Sequence, residues 1–198
     1  MPRRPRWFTG TKDGHSEWYV ERFRKMAADG EDLAGEARLI DAIVPPGARI
    51  LDAGCGPGRV GAELHARGHT VVGVDVDPVL ITAAEEDHPG PTWMVADLSE
   101  LDLDSEPFDA AVIAGNVMVF VAPGSEGDVL TRVAAHVKPD GVVVVGFRLD
   151  STYLLHAFDA DLEAAGLQVE QRFATWDLRP FTEDRDFAVT LARVVRSH

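Results

Sequence analysis

The stretch from Arg49 to Val60, Arg-Ile-Leu-Asp-Ala-Gly-Cys-Gly-Pro-Gly-Arg-Val, restricts the fold of this chain more than any other segment. Its apolar start is typical of a buried strand, with Asp52 near the end of that strand. Glycines follow at alternate positions, and a residue without a Cβ can adopt positive φ and let a ligand approach the backbone. Pro57 pre-sets φ for a following helix, whose free N–H groups face the loop. The stretch predicts a strand, a loop and a helix that together bind a nucleotide-like ligand.

Composition narrows the classes of function. The chain has 198 residues, of which 45% are hydrophobic and 26% are charged, and these values predict one globular domain with a complete core. Its net charge of −14 argues against a protein whose main role is binding nucleic acid, because phosphate binding requires a basic face. We therefore expect no nucleic-acid partner.

Cysteine usage and hydropathy exclude further classes. Cys55 is the only cysteine, which rules out an internal disulfide and a multi-cysteine metal site, and we expect no metal ion. No apolar run approaches the ~20 residues that cross a bilayer. The first residues are basic but lack the apolar part of a signal peptide, so the sequence predicts a cytoplasmic protein with no membrane partner.

Helix and strand patterns alternate along the chain. Residues 1–14 have no periodicity and are interpreted as a loose arm. Apolar residues at helical spacing predict helices at 16–28 and 32–43, before the first strand. Residues 138–141, Lys-Pro-Asp-Gly, have the composition of a turn. Further strands are predicted at 70–75, 92–96, 108–114, 142–147, 167–176 and 186–195.

This order predicts an α/β protein with a Rossmann-like, doubly wound and mostly parallel sheet. The last two strands have no helical pattern between them, so we expect them to form an antiparallel C-terminal hairpin. We expect a single domain, 1–198, with an N-terminal arm and lid helix at 1–35, a cofactor-binding core at 36–150, and a C-terminal helix and hairpin at 151–198.

Polar residues follow four consecutive strands, at the edge where an open parallel sheet binds its ligand. Asp75 lies near the ~20-residue distance from the glycine loop at which an acid meets ribose hydroxyls, although an acid there can also belong to a turn. The four strand ends carry Asp52, Asp75, Asp97-Leu98 and Gly115-Asn116.

The other strand-end residues also have two interpretations each. Asp97 can accept from an exocyclic amine of a purine, with Leu98 and Val76 on the ring faces, or it can cap a turn. Asp52 can hold an ammonium group or bind loop amides. Asn116 can contact the ligand or form a turn.

The motif Asp52-Ala-Gly-Cys-Gly-Pro-Gly58 resembles the glycine-rich motif of class I S-adenosylmethionine-dependent methyltransferases. The resemblance covers about residues 36–150, and the terminal hairpin in outline. The same order of motifs continues in Val-Val-Gly-Val-Asp75, Val-Ala-Asp97-Leu98, Phe108-Asp-Ala-Ala-Val-Ile and Lys138-Pro-Asp-Gly-Val-Val-Val.

This resemblance implies a seven-stranded sheet whose last strand is antiparallel and lies beside the fifth. It implies an enzyme that binds S-adenosylmethionine and releases S-adenosylhomocysteine, with Asp75 at the ribose, Asp97 at the adenine, and Asp52 and the loop backbone at the methionine part. The cofactor-binding residues expected on this basis are Asp52, Gly54, Cys55, Gly56, Gly58, Asp75, Val76, Asp97, Leu98 and Asn116.

Two alternatives stay open from the sequence. Gly56-Pro-Gly-Arg-Val-Gly61 also matches the dinucleotide fingerprint, which would make the chain an NAD-binding oxidoreductase. Asp52 and Asp97 favour the methyl donor, because a pyrophosphate prefers loop amides without an adjacent carboxylate. The chain could also be a non-catalytic regulatory domain that binds adenosylmethionine.

The methyl acceptor is expected to be a small organic molecule in an aromatic and apolar pocket, and neither its identity nor the oligomeric state follows from the sequence. The N-terminal helices are the expected lid, or they simply pack on the sheet. Asp150 is a further residue near the predicted acceptor site. Candidate catalytic residues are His15, Tyr19 and His156, of which the imidazoles titrate in the useful range. Candidate substrate-binding residues are Trp18, Tyr19, Met118, Arg148 and Trp176.

Overall fold

The structure, a computed structural model, describes residues 3–149 and 153–195. A short 3-10 helix at Leu98–Glu100 accompanies the regular elements of these ranges. The α-helices are α1 (Arg6–Thr9), α2 (His15–Ala28), α3 (Gly35–Ile43), α4 (Arg59–Ala66), α5 (Pro78–Asp87), α6 (Val117–Phe120), α7 (Glu126–Ala135) and α8 (Leu155–Ala164). The strands are β1 (Arg49–Ala53), β2 (Thr70–Asp75), β3 (Thr92–Val95), β4 (Phe108–Ile113), β5 (Val137–Arg148), β6 (Leu167–Phe173) and β7 (Phe187–Val194).

The strands form one seven-stranded sheet in the order β3-β2-β1-β4-β5-β7-β6. Strands β1 to β5 pair in parallel, whereas β7 runs antiparallel between β5 and β6. The strand order reverses between β1 and β4, which is the switch point where an open α/β sheet binds its ligand. The predicted Rossmann-like sheet with an antiparallel C-terminal hairpin is therefore confirmed.

Helices cover both faces of the sheet, as the nearly continuous apolar strands require. In β1, Leu51 packs into a cluster with Phe158 of α8, while the adjacent Ile50 packs on the other face with Ile40 and Leu64. All five of these side chains are fully buried. Because neighbouring residues of a strand point to opposite faces, β1 is enclosed on both sides and its carboxyl end is fixed in position.

The N-terminal segment is more ordered than the sequence predicted. Residues 6–9, expected to belong to a loose arm, form α1, and Trp7 is only 9% exposed. Trp7 packs with Val20, Leu80 and Ala83 in a separate apolar cluster. Burial of one large indole ring therefore orders a segment whose sequence has no periodicity.

The predicted turn at residues 138–141 is also wrong, because these residues belong to β5. Strand pairing begins at Phe108 with Val137, shifts register, and resumes at Ala110 with Val142. Asp140 adopts φ 62° within this irregularity. The turn-like composition thus corresponds to a bulge inside a strand rather than to a break before it.

None of the helices in residues 3–149 and 153–195 has the length and hydropathy that crossing a membrane requires.

Candidate functional site

The loop that follows β1 has glycines at positions where φ is positive. Gly54 has φ 81° and lies against Val117, so a Cβ at this position would overlap that side chain. The N–H groups of Gly54 and Cys55 both donate to the carbonyl of Val74, at 2.7 and 3.0 Å. These two hydrogen bonds fix the glycine loop to β2.

Asp52 is the most deeply buried acid of the site. Its carboxylate is 1% exposed and accepts a hydrogen bond from the backbone N–H of Gly61 in α4 at 2.8 Å. Burial raises the pKa of Asp52 to about 7, although the bond from Gly61 opposes this shift. Asp52 therefore connects β1 to α4, and a cation beside it would favour its charged form.

Asp75 closes the end of β2 and is 9% exposed. One carboxylate oxygen accepts from Gly56 N–H at 2.9 Å, and the other accepts from Asp77 N–H at 3.0 Å. Burial raises the pKa of Asp75 to about 6 in spite of these bonds. The carboxylate is thus oriented by the backbone on two sides and faces the pocket.

Asp97 follows β3 and is partly buried. Its Oδ1 accepts from the backbone N–H and the hydroxyl of Ser99, at 2.9 and 2.8 Å, and so caps the 3-10 helix. Leu98, 5% exposed, lies beside it, and Val76 follows Asp75 on the neighbouring loop. The capping role considered from the sequence is present, and Asp97 lines the pocket at the same time.

These strand ends surround a pocket with an empty volume of about 850 Å³. Eight of the ten predicted cofactor-binding residues line it, namely Asp52, Gly54, Cys55, Gly56, Asp75, Val76, Asp97 and Leu98.

Aromatic residues from the N-terminal helices and α6 also line the pocket. The ring of Trp7 contacts Tyr19 and Phe120 edge to face, with centroid distances of 5.4 and 5.5 Å. Tyr19 contacts Phe23 in the same way at 4.9 Å. Tyr19 also lies over the glycine loop, since its Cε1 would be 3.7 Å from a Cβ added to Gly56. We call Trp7, Tyr19, Phe23 and Phe120 the aromatic wall.

Burial raises the pKa of the Tyr19 hydroxyl, with Arg59 opposing the shift. Tyr19 is therefore a neutral phenol near pH 7 and suits donation of a hydrogen bond better than removal of a proton. His15, another candidate base, stands behind the aromatic wall, with its ring 4.8 Å from that of Trp7 and 6.2 Å from that of Tyr19.

Arg59 lines the pocket and did not stand out in the sequence. Its guanidinium pairs with both oxygens of Glu36, at 2.5 and 2.7 Å, and donates to the carbonyl of Leu33 at 2.6 Å. It also lies 5.4 Å from the ring centroid of Phe23. The position directly after the last loop glycine was the available signal, because that residue begins the helix facing the ligand. Other lining residues that were not predicted for the site include Pro5, Phe23, Pro57, Val60 and Leu80.

Two predicted cofactor-binding residues lie outside the pocket lining. Gly58 has φ 86° at the start of α4, where an added Cβ would be 2.9 Å from Trp93 and Ala84. Asn116 precedes α6 at φ 66°, and its side-chain oxygen accepts from Arg148 N–H at 2.9 Å. In the structure both residues shape the backbone next to the pocket.

Several acceptor-site candidates are likewise not brought to the pocket. Trp18 is 54% exposed and stacks on His15, while Met118 is fully buried in the core. Trp176 packs against β5, where it would overlap a Cβ at Gly146. His156 is exposed on α8, and Arg148 is exposed at the end of β5. Asp150 lies outside the described residues. Tyr19 is the one substrate-binding candidate that lines the pocket within residues 3–149 and 153–195.

The histidines at positions 65 and 69 have a spacing that can hold a metal on one helical turn. However, α4 ends at Ala66, and the His69 ring bonds Asp41 at 2.9 Å. Among the described residues, no three His, Cys, Asp or Glu side chains form a group suited to a metal ion.

Known methyltransferases match this chain both in sequence motifs and in fold. A family model for a methyltransferase domain matches residues 50–141, which include the glycine loop and the ends of the first four strands. The crystal structure of a TehB-like SAM-dependent methyltransferase from Corynebacterium glutamicum is 42% identical, covers 94% of this chain and 100% of its own, and superposes with a TM-score of 0.88. The chain belongs to the class I SAM-dependent methyltransferases.

Curated relatives of this methyltransferase match over shorter stretches. Malonyl-[acyl-carrier protein] O-methyltransferase of Salmonella typhimurium is 31% identical over 96 residues, which are 48% of this chain and 37% of that protein. Magnesium-protoporphyrin O-methyltransferase of Rhodobacter capsulatus is 33% identical over 121 residues, 57% of this chain and 52% of that protein. The chain thus spans about half or less of the length of these relatives, and they differ from one another in their acceptors.

Proposed function

We propose that this methyltransferase binds S-adenosylmethionine in the pocket at the switch point and transfers its methyl group to a small-molecule acceptor. The single observation that carries the proposal is the arrangement of Asp52, Asp75 and Asp97 around one pocket that the aromatic wall also lines. We also propose that the chain acts as a single domain, in which the N-terminal helices form a lid over the cofactor.

The charge of the site supports the identity of the donor. Asp52 and Asp75 are buried acids whose pKa values, about 7 and about 6, are raised because burial disfavours their charged forms. A ligand that carries positive charge and hydroxyl donors relieves both costs. Adenosylmethionine has an ammonium, a sulfonium and a ribose and no phosphate, whereas the pyrophosphate of NAD would meet two carboxylates.

The three strand-end acids each contact a different part of the donor in this proposal. In this proposal Asp75 accepts from the ribose hydroxyls, and Asp97 accepts from the exocyclic amine of adenine between Val76 and Leu98. Asp52 and the amides of the glycine loop hold the amino-acid end. When bound, adenosylmethionine would supply a methyl group on a positively charged sulfur. The acceptor atom would bond to the methyl carbon in line with the carbon–sulfur bond as that bond breaks and adenosylhomocysteine leaves.

The protein contributes mainly alignment and exclusion of water. The aromatic wall gives the acceptor side an apolar surface, and positioning of two reactants accounts for a large part of catalysis in a displacement of this kind. Removal of water also increases the reactivity of a lone-pair nucleophile. Because Tyr19 stays protonated near neutral pH, the proposed acceptor is a group that is nucleophilic without a strong base, such as an amine or an ionised thiol or phenol.

A calorimetric titration with adenosylmethionine, adenosylhomocysteine and NAD tests the donor. Binding of the two adenosyl ligands without NAD is the expected result, and binding of NAD alone would overturn the proposal. Incubation with methyl-labelled adenosylmethionine and a panel of small amines, thiols, phenols and carboxylates tests the acceptor. Ligand binding without transfer to any member of the panel, together with transfer to a protein or RNA fraction, would contradict a small-molecule acceptor.

A further inference from the structure

The carboxylate of Asp77 joins the two N-terminal helices to the loop that follows the proposed ribose-binding acid. It is 2% exposed, and it accepts a hydrogen bond from the indole N–H of Trp7 in α1 at 2.6 Å. The hydroxyl of Ser16 in α2 donates to the same oxygen, Oδ2. One buried oxygen therefore accepts hydrogen bonds from both α1 and α2. We call these two helices the N-terminal cap.

Asp77 is also bonded on the pocket side. Its Oδ1 accepts from Val79 N–H at 2.9 Å and caps α5, and its own N–H donates to Asp75 at 3.0 Å. A continuous chain of hydrogen bonds thus runs from Trp7 through Asp77 to Asp75. Asp77 therefore contributes both to the position of the N-terminal cap and to the orientation of the Asp75 carboxylate.

The other polar attachments of the N-terminal cap are more exposed. Arg24 of α2 pairs with Asp87 of α5 at 2.8 Å, with 40% and 31% of the two side chains exposed, and such surface pairs contribute little. Arg6 pairs with Glu126 at 3.0 Å at a partly buried position. Hydrogen bonds from a neutral donor to a buried charged acceptor are stronger and more directional.

We propose that Asp77 is a positioning residue that holds Trp7 and Tyr19 over the pocket and thereby sets the rate at which the adenosyl ligand leaves. Trp7 and Tyr19 line the same pocket as Asp75, and in this proposal the bound ligand leaves when the aromatic wall is displaced. The bond from Trp7 to Asp77 opposes that displacement. The nature of the ligand rests on the proposed function, whereas the attachment of the N-terminal cap does not.

The substitution Trp7→Phe tests this role because it removes the indole N–H and keeps a large ring in the wall. Asp77 keeps its bonds with Ser16 and Val79, so α5 remains capped. We expect labelled adenosylhomocysteine to dissociate roughly tenfold faster from Trp7→Phe in a chase experiment, the scale of one lost hydrogen bond to a charged group. The matched control is Trp18→Phe, which changes an exposed indole on the same cap and should leave the rate unchanged.

The substitution Asp77→Asn tests the other partner. An asparagine can still cap α5 through its oxygen, but its amide NH₂ cannot also accept from the indole. Because both substitutions remove the same bond, the double variant should dissociate no faster than the faster single variant. Additive accelerations in Trp7→Phe and Asp77→Asn would show that the two residues act separately.

Trypsin cleavage after Lys12, an exposed residue between α1 and α2, reports on the cap without any ligand. We expect faster cleavage there in Trp7→Phe than in Trp18→Phe, at equal unfolding midpoints. Unchanged cleavage together with unchanged dissociation in Trp7→Phe would overturn the role of Asp77. If the wild-type protein binds no adenosyl ligand, the proposed function fails, and the cleavage rates still decide the positioning role.

Discussion

Asp75 accepts a hydrogen bond from the backbone N–H of Gly56 at 2.9 Å, so the carboxylate at the end of β2 is bonded directly to the glycine loop after β1. Gly56 presents this N–H with φ 55°, in the left-handed region that favours glycine. The loop and the acid therefore form one unit, and a change in either alters the other. This coupling determines how substitutions at Asp75 must be interpreted.

Replacement of Asp75 should weaken binding of adenosylhomocysteine. We expect Asp75→Ala to cost about 1–3 kcal/mol, because hydrogen bonds between the ribose and a charged acceptor are lost. Asp75→Asn keeps one acceptor for Gly56 N–H, so the difference between the two variants measures the contribution of the loop. The control is Asp104→Ala at an exposed acid. Calorimetry measures the affinities, and wild-type affinity in Asp75→Ala would remove this residue from the proposed ribose site.

The raised pKa values predict how the stability of the unliganded protein depends on pH. Asp52 of the folded protein has a pKa of about 7 and holds its proton up to that pH, whereas an unfolded aspartic acid releases its proton near the ordinary pKa of 3.8. Between these values the folded state binds more protons, so Asp52 contributes stability below pH 4 that is lost as the pH rises through 7. Asp75 acts in the same direction up to about pH 6. Urea denaturation of wild type and Asp52→Asn at pH 5 and 8 should show a smaller loss of stability in the variant.

The same acids predict the opposite trend for binding of adenosylmethionine. Its positive charge favours ionised Asp52 and Asp75, so the affinity should increase as the pH rises from 5 to 8. With a pKa of about 7 for Asp52, protonation at pH 5 can weaken binding by roughly a hundredfold. In Asp52→Asn the affinity should no longer change with pH near 7, whereas the change near pH 6, which comes from Asp75, should remain. An affinity that does not change with pH in the wild type would contradict the placement of a cation beside these acids.

Crowding at Gly54 predicts that an added methyl group destabilises the loop. Gly54 has φ 81° and contacts Val117, whereas Gly47 has φ 73° and nothing within 4 Å of an added Cβ. Both alanine variants incur about 1–2 kcal/mol of left-handed backbone strain, but Gly54→Ala should cost about 1–3 kcal/mol more through overlap. Thermal unfolding of the two variants measures this difference. Equal melting temperatures would show that α6 moves away freely and that the loop is not fixed by this contact.

The sheet and three strand-end acids followed from the sequence because they are properties of local pattern. The apolar segments of β1 and β2 predict strands without knowledge of their tertiary contacts. Asp52 and Asp75 occur at fixed distances along the sequence from the glycine loop. The aromatic wall followed only in part: Tyr19 was predicted as a site residue, whereas the contact of Trp7 was not, because a tryptophan in an aperiodic segment carries no signal of its partner. Trp7 meets Asp77 across 70 residues of chain, and Arg59 meets Glu36 across 23. Trp18 was proposed for the site because helical spacing does not tell which face of α2 meets the pocket.

Tyr19 separates the contributions of an aromatic surface and of a hydroxyl. Its pKa is raised by burial, so it should not act as a base near pH 7, and Tyr19→Phe should keep the pH profile of methyl transfer. Tyr19→Ala removes a ring from the wall and should weaken adenosylhomocysteine binding by about 1.5–3 kcal/mol, the scale of burying one aromatic side chain. Trp18→Ala, which removes an exposed ring from the same helix, is the matched control.

The two Tyr19 variants distinguish packing from proton transfer. With the acceptor found in the labelling screen, kcat against pH should have the same shape in the wild type and in Tyr19→Phe, and the affinity for adenosylhomocysteine should fall in Tyr19→Ala alone. Loss of an ionisation from the profile of Tyr19→Phe would instead assign proton removal to the hydroxyl. That result would mean that the bound complex lowers the pKa of Tyr19, which a cation placed close to the phenol oxygen can do.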